Sequence, residues 1–214
     1  MRSCALQPYV ANHENSGIVK DILEDAMIEI VPYQRSWPAE FHAIASRLRQ
    51  ELGDLALRID HIGSTAVPGL ATKDVIDIQI TVTSLSPELI QAMSALGYTQ
   101  RPGLQRDHPP AGFNGDEAEW EKWYFEAPAG QRRTHTHVRV AERANQRYPL
   151  LSRDYLRTHS ATAEAYAELK RRLAQNLADP DTYPDVKDPA VDLIYLAAEE
   201  WAKITGWQPD ASDA

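Results

Sequence analysis

The sequence contains almost no cysteine and no long apolar run. Cys4 is the only cysteine among the 214 residues, so the chain cannot form an internal disulfide, which fits a reducing compartment. No run of about 18 apolar residues is present, and Met1 is not followed by the apolar core of a signal peptide. We therefore expect a cytoplasmic protein without a membrane partner.

The sequence also contains fewer basic than acidic residues. Lys and Arg total 22 against 31 Asp and Glu, which gives a net charge of −9 and an isoelectric point near 5.2. A protein that neutralises nucleic-acid phosphates needs a basic face, so this composition argues against nucleic acid as a partner. The acidic composition is still compatible with a local basic pocket that binds a small anion. The oligomeric state is not readable from these totals.

The clearest pattern in the chain is a strand at 76–82. Apolar β-branched side chains occupy every second position, which predicts a central strand with its apolar face on the core. Asp77 and Gln79 alternate with them, so both are expected on the opposite face of the sheet.

A tight polar turn precedes this strand. Gly63 lets a ligand approach the backbone closely, and the N–H groups around Ser64 and Thr65 can point at one phosphate. Asp77 could then hold Mg²⁺, which binds proteins through one or two carboxylates plus substrate phosphates, and Lys73 would add a positive charge. The alternative is a hairpin-like connection in which the two hydroxyls only satisfy their own backbone.

Composition and periodicity divide the chain into three parts. Residues 1–27 are predicted as an N-terminal extension, partly disordered, with a short helix at 16–27. Residues 28–206 are predicted as one domain, and residues 207–214 as a tail. The first elements expected in the domain are a strand at 28–33, a helix from Ser36 to Leu52, the strands around the polar turn, and a helix opened by Ser86-Pro87.

A long irregular segment at 101–119 follows the second helix. It is rich in Gly, Pro and Asp, and loops of this length are usually functional or mobile. Arg101, Arg106 and His108 could reach an anionic ligand from it, or they could simply be solvated.

Two strands are predicted after this segment, at 120–125 and 134–140. In the second, His135 and His137 share one face, and the apolar side chains share the other. A histidine in such a position can act as an acid, a base or a hydrogen-bond partner. A shared metal is a further alternative, although zinc normally takes more nitrogen or sulfur ligands than this pair offers.

The last third of the chain is predicted to be helical. The expected elements are a helix from Pro149 to Arg157, a helix capped by Ser160 that ends near Leu177, a linker at 179–189 and a final helix.

Two pairs of polar residues lie one turn apart on the predicted helices. Arg153 pairs with Arg157, and Tyr166 pairs with Lys170. If their faces meet over the sheet, they form a cationic pocket that can bind phosphate or carboxylate. The alternative is an ion-pair lattice in which neighbouring acids neutralise these cations.

Several of these motifs resemble those of one family. The run His61-Ile-Gly-Ser-Thr-Ala-Val-Pro-Gly-Leu70, followed by Lys73 and Ile76-Asp77-Ile78, is similar to the signature of the GrpB (UPF0157) family. Val31-Pro-Tyr33, Thr136-His137-Val138 and the block from Arg153 to Arg157 resemble further parts of it. That family is grouped with nucleotidyltransferases of the polymerase-beta type. The resemblance implies an α/β (α+β) domain with a nucleotidyltransferase-like mixed β-sheet, flanking helices and a C-terminal helical cap at about 148–206.

The resemblance also implies a function. We expect an enzyme that binds ATP or another NTP with Mg²⁺ and transfers the nucleotidyl group to a small-molecule acceptor, or adenylates a carboxylate for amide formation. The expected catalytic residues are Asp77, Lys73 and His137; the expected phosphate-binding residues are Gly63, Ser64, Thr65, Arg153, Arg157, Tyr166 and Lys170; the expected metal ligand is Asp77, with Gln79 and Glu126 as further candidates.

One departure from the nucleotidyltransferase pattern keeps a second interpretation open. Those enzymes carry carboxylates at alternate positions of the strand, whereas here the second position is Gln79, whose neutral amide is a poorer ligand for a hard cation. The chain could therefore be a non-catalytic module that binds an anion or nucleotide for regulation. A hydrolase that uses His137 as its base is a third interpretation.

Overall fold

A computed structural model of the chain describes residues 28–214, so the predicted N-terminal extension lies outside the described residues. The strands of the described part are β1 (Arg58–Ile62), β2 (Ile76–Val82), β3 (Thr99–Gln100), β4 (Lys122–Glu126) and β5 (Thr134–Val140). Its α-helices are α1 (Trp37–Leu52), α2 (Pro87–Ala95), α3 (Ala144–Thr158), α4 (Ser160–Asn176) and α5 (Tyr183–Thr205).

The strands form one mixed sheet in the order β1-β2-β5-β4-β3. The central pair, β2 and β5, is parallel, and the other neighbours are antiparallel. The register of the central pair sets Asp77 opposite His135 and Gln79 opposite His137. Polar side chains from two strands that are distant in the sequence therefore meet on one face of the sheet.

The hydrophobic core lies on the other face of the sheet, beneath α1 and α2. The isoleucines of β2 are fully buried there, as their alternation predicted. In α1, Phe41, Ile44 and Leu48 recur at helical spacing and pack on this layer. The helix ends at Gly53, whose φ of +48° lies in a region that L side chains rarely adopt.

Helices α3, α4 and α5 cover the polar face of the sheet. They pack on one another around a second apolar cluster that includes Leu156, Tyr166 and Ile194. This arrangement is the helical cap on a mixed sheet that the family resemblance implied. None of the helices within residues 28–214 is both long and apolar enough to cross a membrane.

Three predictions of element boundaries were wrong. The expected strand at 28–33 forms only an isolated bridge between Val31 and Thr72. Helix α3 begins at Ala144, and Pro149 lies inside it. The expected linker at 179–189 instead contains a short 3₁₀ turn and the start of α5.

The two errors in the helices share a physical cause, which is the treatment of proline as a helix boundary. Pro184 lies in the first turn of α5, where its missing N–H group costs no hydrogen bond. Pro189 lies inside the same helix and removes one helical hydrogen bond, a cost that tertiary packing can offset. The correction matters for function, because it moves Tyr183 and Lys187 from a linker onto a helix that covers the sheet.

Candidate active site

A cavity of about 350 Å³ lies between the turn at Gly63 and Ser64, the polar face of the sheet and helices α3–α5. Its wall contains side chains from both central strands and from all three covering helices. The wall residues used below are Gly63, Ser64, Lys73, Asp77, His135, His137, Tyr148, Ser152, Arg153, Tyr166, Lys170, Tyr183 and Lys187.

The turn requires a glycine for two reasons. Gly63 has φ of +68° and ψ of −170°, a conformation that L side chains rarely adopt. A Cβ atom at this position would also lie 2.1 Å from Oδ2 of Asp77. The glycine therefore lets the backbone press against the Asp77 carboxylate, and it brings Ser64 and Asp77 to the same end of the cavity.

Asp77 is held by the neighbouring strand. Its Oδ1 lies 2.9 Å from Nδ1 of His135, its cross-strand neighbour. Of the cavity-wall residues in the described chain, Asp77 is the only carboxylate.

Three lysines face this one carboxylate, and we call them the lysine cluster: Lys73, Lys170 and Lys187. Lys170 donates a hydrogen bond of 2.9 Å to Oγ of Ser64, and its Nζ lies 4.6 Å from the Tyr166 ring centroid. Burial and the nearby Lys187 lower the pKa of Lys170 to about 7.

The other two lysines of the cluster differ from Lys170. Nζ of Lys73 lies 4.6 Å above the ring of Tyr183, and burial lowers the pKa of Lys73. Burial also disfavours the charge on Lys187, but the nearby Tyr166 and Asp188 outweigh it and raise its pKa. Lys187 pairs with Asp188 at 3.3 Å, whereas neither Lys73 nor Lys170 forms an ion pair within residues 28–214. The cavity therefore has an excess of positive charge.

A buried hydroxyl in the wall also lacks a partner. Oγ of Ser152 has no hydrogen-bond partner among the described residues, although the residue is only 7% exposed. Buried polar groups are nearly always hydrogen-bonded, so this atom favours a polar ligand in the cavity.

The two arginines predicted to bind phosphate contact protein groups. Arg153 borders the cavity, but its guanidinium donates to the carbonyl of His61 at 3.0 Å and to Asp213 at 2.7 Å. Arg157 lies outside the cavity wall and donates to the carbonyl of Ala66 at 3.0 Å. Both arginines hold the turn in place, which corrects the expectation that they form the anion pocket.

Thr65 was also predicted to bind phosphate, but it lies outside the cavity wall. It is 1% exposed, and its hydroxyl lies 3.0 Å from Nε2 of His61. Burial lowers the pKa of His61 to about 4, so this histidine is neutral at physiological pH. Thr65 and His61 therefore stabilise the turn from behind.

Gln79 does not face the cavity. Its Oε1 accepts a 2.8 Å hydrogen bond from Arg139, and its Nε2 donates to the carbonyl of Gln146 at 3.0 Å. Arg139 in turn forms two bonds to Asp107, of 2.7 and 2.9 Å. Lys122 donates to the same carboxylate at 2.7 Å. We call these four residues, Gln79, Asp107, Lys122 and Arg139, the closed network.

The closed network touches the cavity through one histidine. Nδ1 of His137 lies 3.4 Å from Nζ of Lys122, and another part of the ring borders the cavity. Burial lowers the pKa of His137 well below its usual range, and Arg139 and Lys122 add to this effect. His137 therefore faces the cavity as a neutral imidazole.

Glu126, the candidate for completing a metal site, pairs with Arg101 at 3.1 Å and lies outside the cavity wall. No group of three or more His, Cys, Asp or Glu side chains within residues 28–214 could hold a metal ion. The structure therefore does not support Gln79 or Glu126 as metal ligands.

The remaining charged residues of the segment 101–119 also contact protein groups. Arg106 pairs with Glu117, and His108 lies 3.0 Å from Asp192. These two residues and Arg101 are not part of the cavity wall, so of the two alternatives left open for them the structure does not support an anion contact in this cavity.

Comparison with known proteins gives the family. The family model described as GrpB protein matches residues 27–196. The chain belongs to the GrpB family. This agrees with the resemblance of its turn and strand motifs.

Relatives of this GrpB chain carry two kinds of name. It is 38% identical to a protein named dephospho-CoA kinase from Mycolicibacterium paratuberculosis, over 86% of this chain and 49% of that protein. It is 36% identical to a UPF0157 protein of Pseudomonas aeruginosa, over 80% of this chain and 67% of that protein. The chain spans about half the length of the first of these relatives.

The GrpB fold is also seen in a solved structure. The crystal structure of conserved protein GrpB from Enterococcus faecalis has a TM-score of 0.61 and 28% identity, over 81% of this chain and 99% of that one. A poly(U) polymerase with MgGTP bound is much less similar, with a TM-score of 0.44 and 13% identity over 76% of this chain and 49% of that one. No function follows from a likeness of that degree.

Sequence reasoning missed several residues of this GrpB site. Ser152 and Tyr148 carry no motif, and Lys187 was assigned to a linker. Asp107 was not identified as a candidate because it lies in the irregular segment at 101–119, although it is an acidic residue between basic neighbours. A signal was available for Lys187: it lies four residues after Tyr183, the spacing of residues on one face of a helix.

Proposed function

We propose that this GrpB protein binds a nucleoside triphosphate and transfers its nucleotidyl group to a small-molecule acceptor. The observation that carries the proposal is the convergence of the lysine cluster and Ser64 on a cavity with a single carboxylate, Asp77. A polyanion compensates the excess positive charge, and the free hydroxyl of Ser152 gains a partner.

The donor set fits one magnesium ion and does not fit two. Mg²⁺ can be held by one carboxylate when substrate phosphates and water complete its shell, and Asp77 provides that carboxylate. A pair of metal ions needs further acids, whereas Gln79 is hydrogen-bonded to Arg139 and Glu126 is paired with Arg101. The ion would supply charge neutralisation at the phosphates.

In this proposal the chain's own residues position the phosphates. Lys73 and Lys187 bind the two phosphates that leave as pyrophosphate, because their positive charge stabilises the charge that develops there. Ser64 and Lys170 contact the phosphate that is transferred. His137, as a neutral imidazole, can donate or accept a hydrogen bond at the sheet end of the cavity.

Adenylation of a carboxylate, followed by amide formation, uses the same contacts. The two reactions differ in the acceptor, and the cavity wall offers groups compatible with either.

The name dephospho-CoA kinase does not enter this proposal. P-loop kinases bind phosphate through the motif G-x-x-x-x-G-K-[ST], and the 214 residues contain no such motif. The relatives of that name are also about twice as long as the matched segment, so a kinase activity can lie in their other half.

A second candidate function is anion sensing without catalysis. It is favoured by the closed network, in which Gln79 occupies the position of a second carboxylate and is bonded to Arg139. In that case a phosphorylated ligand binds the lysine cluster without a metal and without being consumed.

Nucleotide binding measured by thermal shift, with and without Mg²⁺, tests the proposal. We expect each of the four NTPs, or one of them, to raise the melting temperature of the wild type more strongly with Mg²⁺. Asp77→Asn is expected to remove the Mg²⁺-dependent part, and Lys187→Met to weaken binding at least tenfold. Pyrophosphate release in the presence of small hydroxyl and carboxylate acceptors then tests for transfer.

Lys203→Met is the matched control, because Lys203 is exposed and pairs with Glu200 on the surface. It is expected to bind nucleotide like the wild type. Nucleotide binding that ignores both Mg²⁺ and Asp77→Asn, with no pyrophosphate released, would establish the sensing function instead. Absence of any nucleotide binding would refute the proposal.

A further inference from the structure

Ser64 and Lys170 make a contact that phosphate binding alone does not require. Lys170 is 2% exposed, and its Nζ lies 2.9 Å from Oγ of Ser64. A buried lysine is thus positioned against a hydroxyl that faces an open cavity.

This arrangement has the geometry of an activated nucleophile. A hydroxyl within hydrogen-bond distance of a base, with a third group that orients the base, is the pattern found in covalent catalysis. Tyr166 is the third group here, because its ring lies 4.6 Å from Nζ of Lys170. A pKa of about 7 lets a large fraction of Lys170 be a free amine at neutral pH, which is the form that accepts a proton.

The small number of carboxylates in the cavity wall favours a catalytic role for Ser64 and Lys170. Where two metal ions activate an acceptor, two or more carboxylates are needed, and Asp77 is the only carboxylate that residues 28–214 contribute to the cavity wall. An amine base activates an oxygen nucleophile without a second metal ion.

We propose that Ser64, activated by Lys170, attacks the bound nucleoside triphosphate and forms a covalent nucleotidyl-serine before the group passes to the acceptor. This inference rests on the proposed function, since it names the path of the same transfer.

In the first step, Oγ of Ser64 forms a bond to the α-phosphorus and its proton moves to Nζ of Lys170. The bond between the α-phosphorus and the oxygen that bridges to the β-phosphorus breaks. Pyrophosphate leaves with that electron pair, next to Lys73 and Lys187.

In the second step, an acceptor oxygen forms a bond to the same phosphorus. The bond from phosphorus to Oγ breaks, and Ser64 takes its proton back from Lys170. The acceptor's own proton, if it has one, passes to water. The sum of the two steps is NTP plus acceptor giving nucleotidylated acceptor, pyrophosphate and any proton released.

The first step needs no acceptor, so the covalent form should accumulate without one. The full chain, incubated with each NTP and Mg²⁺, is examined by intact mass and by peptide mapping. We expect one nucleotidyl group per chain, located on Ser64, with a labelling rate that rises as the pH increases through about 7. Ser64→Ala is expected to remove the label.

Two substitutions separate the role of Lys170 as a base from its role as a cation. Lys170→Arg keeps a positive charge but cannot accept a proton at neutral pH, so it should retain nucleotide binding and lose labelling at least a hundredfold. Lys170→Met should lose both, and its melting curve shows whether the fold is intact. Lys203→Met should label like the wild type. Equal labelling by Lys170→Arg and the wild type would overturn the role of Lys170.

The outcomes distinguish this inference from the function on which it rests. If the wild type binds NTP and releases pyrophosphate with an acceptor, but carries no label on Ser64 when the acceptor is left out, the covalent step is wrong and the proposed function stands. If no NTP binds, both are wrong. A fluorophosphonate, which needs no nucleotide site, should also react with Ser64 and do so at least tenfold more slowly in Lys170→Arg; a Ser64 that neither reagent modifies is not a nucleophile.

Discussion

Two polar clusters lie side by side on the same face of strands β2 and β5, and they differ in how their charges are compensated. In the closed network, one buried carboxylate, Asp107, pairs with both Arg139 and Lys122, and Gln79 completes the contacts of Arg139. In the cavity, the lysine cluster faces a single carboxylate that is already bonded to His135. In the first, both cations pair with a carboxylate of the protein, whereas in the second Lys73 and Lys170 have no ion-pair partner within residues 28–214.

The difference separates structural charge from functional charge. A buried ion is costly unless it is paired and hydrogen-bonded, so the closed network has the arrangement expected of a stabilising element. Lys73 and Lys170 destabilise the ligand-free fold, as their lowered pKa values indicate. Such a cost is typical of binding sites that are completed by a ligand.

The largest effect is expected from breaking the closed network. Asp107→Ala leaves Arg139 and Lys122 buried without a counter-charge, which should lower the free energy of unfolding by about 3–5 kcal/mol. Urea denaturation at neutral pH measures it. Glu126→Gln, which removes only the exposed partner of Arg101, is the control and should change stability by less than about 0.5 kcal/mol. A loss below about 1 kcal/mol in Asp107→Ala would show that the network is not structural.

The opposite sign is expected in the lysine cluster. Lys170→Met should raise the free energy of unfolding at pH 7 by about 2–4 kcal/mol, because it removes a buried amine whose pKa falls from 10.5 to about 7 on folding. Between these two pKa values the unfolded chain binds a proton that the native chain does not, so the penalty from Lys170 grows as the pH falls toward 7. The gain in Lys170→Met should therefore be largest at pH 7 and below.

Urea denaturation of the wild type and Lys170→Met from about pH 7 to pH 10 checks this dependence, and the gain should shrink steadily as the pH rises. Lys203→Met should show no such trend. A gain that is constant with pH would mean that Lys170 stays charged in the native state.

A smaller effect is expected where the two clusters adjoin. Gln79→Glu introduces a carboxylate at the second alternate position of the strand, but this carboxylate should pair with Arg139 and not bind a metal. It also loses the hydrogen bond that Nε2 donates to the carbonyl of Gln146, so stability should fall by about 1–3 kcal/mol. The dependence of nucleotide binding on Mg²⁺ should stay unchanged, as thermal shift can measure. If nucleotide binding by Gln79→Glu depends more strongly on Mg²⁺ than binding by the wild type, the side chain at position 79 can reach the metal site, and its assignment to the closed network is wrong.

Sequence reasoning was most reliable for elements whose structure follows from the local periodicity of apolar side chains. The alternation along β2 and the helical spacing along α1 predicted both elements and their buried faces. It failed at α3 and α5, because a proline inside a helix costs only one hydrogen bond when the helix packs well. The resemblance of the motif around Gly63 to GrpB was borne out by the family match.

The residues of the site also differ in how far the sequence predicted their positions. The turn at Gly63 and Ser64 and the strand carrying Asp77 are close in sequence, so pattern alone could bring them together. Helical spacing placed Arg153 and Arg157 on one face, and the family resemblance assigned that face to the pocket. Their contacts with His61 and Ala66, however, depend on how α3 lies on the sheet. The spacing of two residues along a helix predicts whether they share a face of that helix. It does not predict which part of the protein that face packs against.

The amino-acid sequence by itself determined the strand with one apolar and one polar face and the glycine-serine turn, because each depends on the conformations and the periodicity of neighbouring residues. Only the tertiary structure decided that Lys73, Lys170 and Lys187 share one cavity and that Gln79 belongs to the closed network. Those groupings depend on strand register and on the packing of three helices across the sheet, which are set by contacts between residues far apart in the chain.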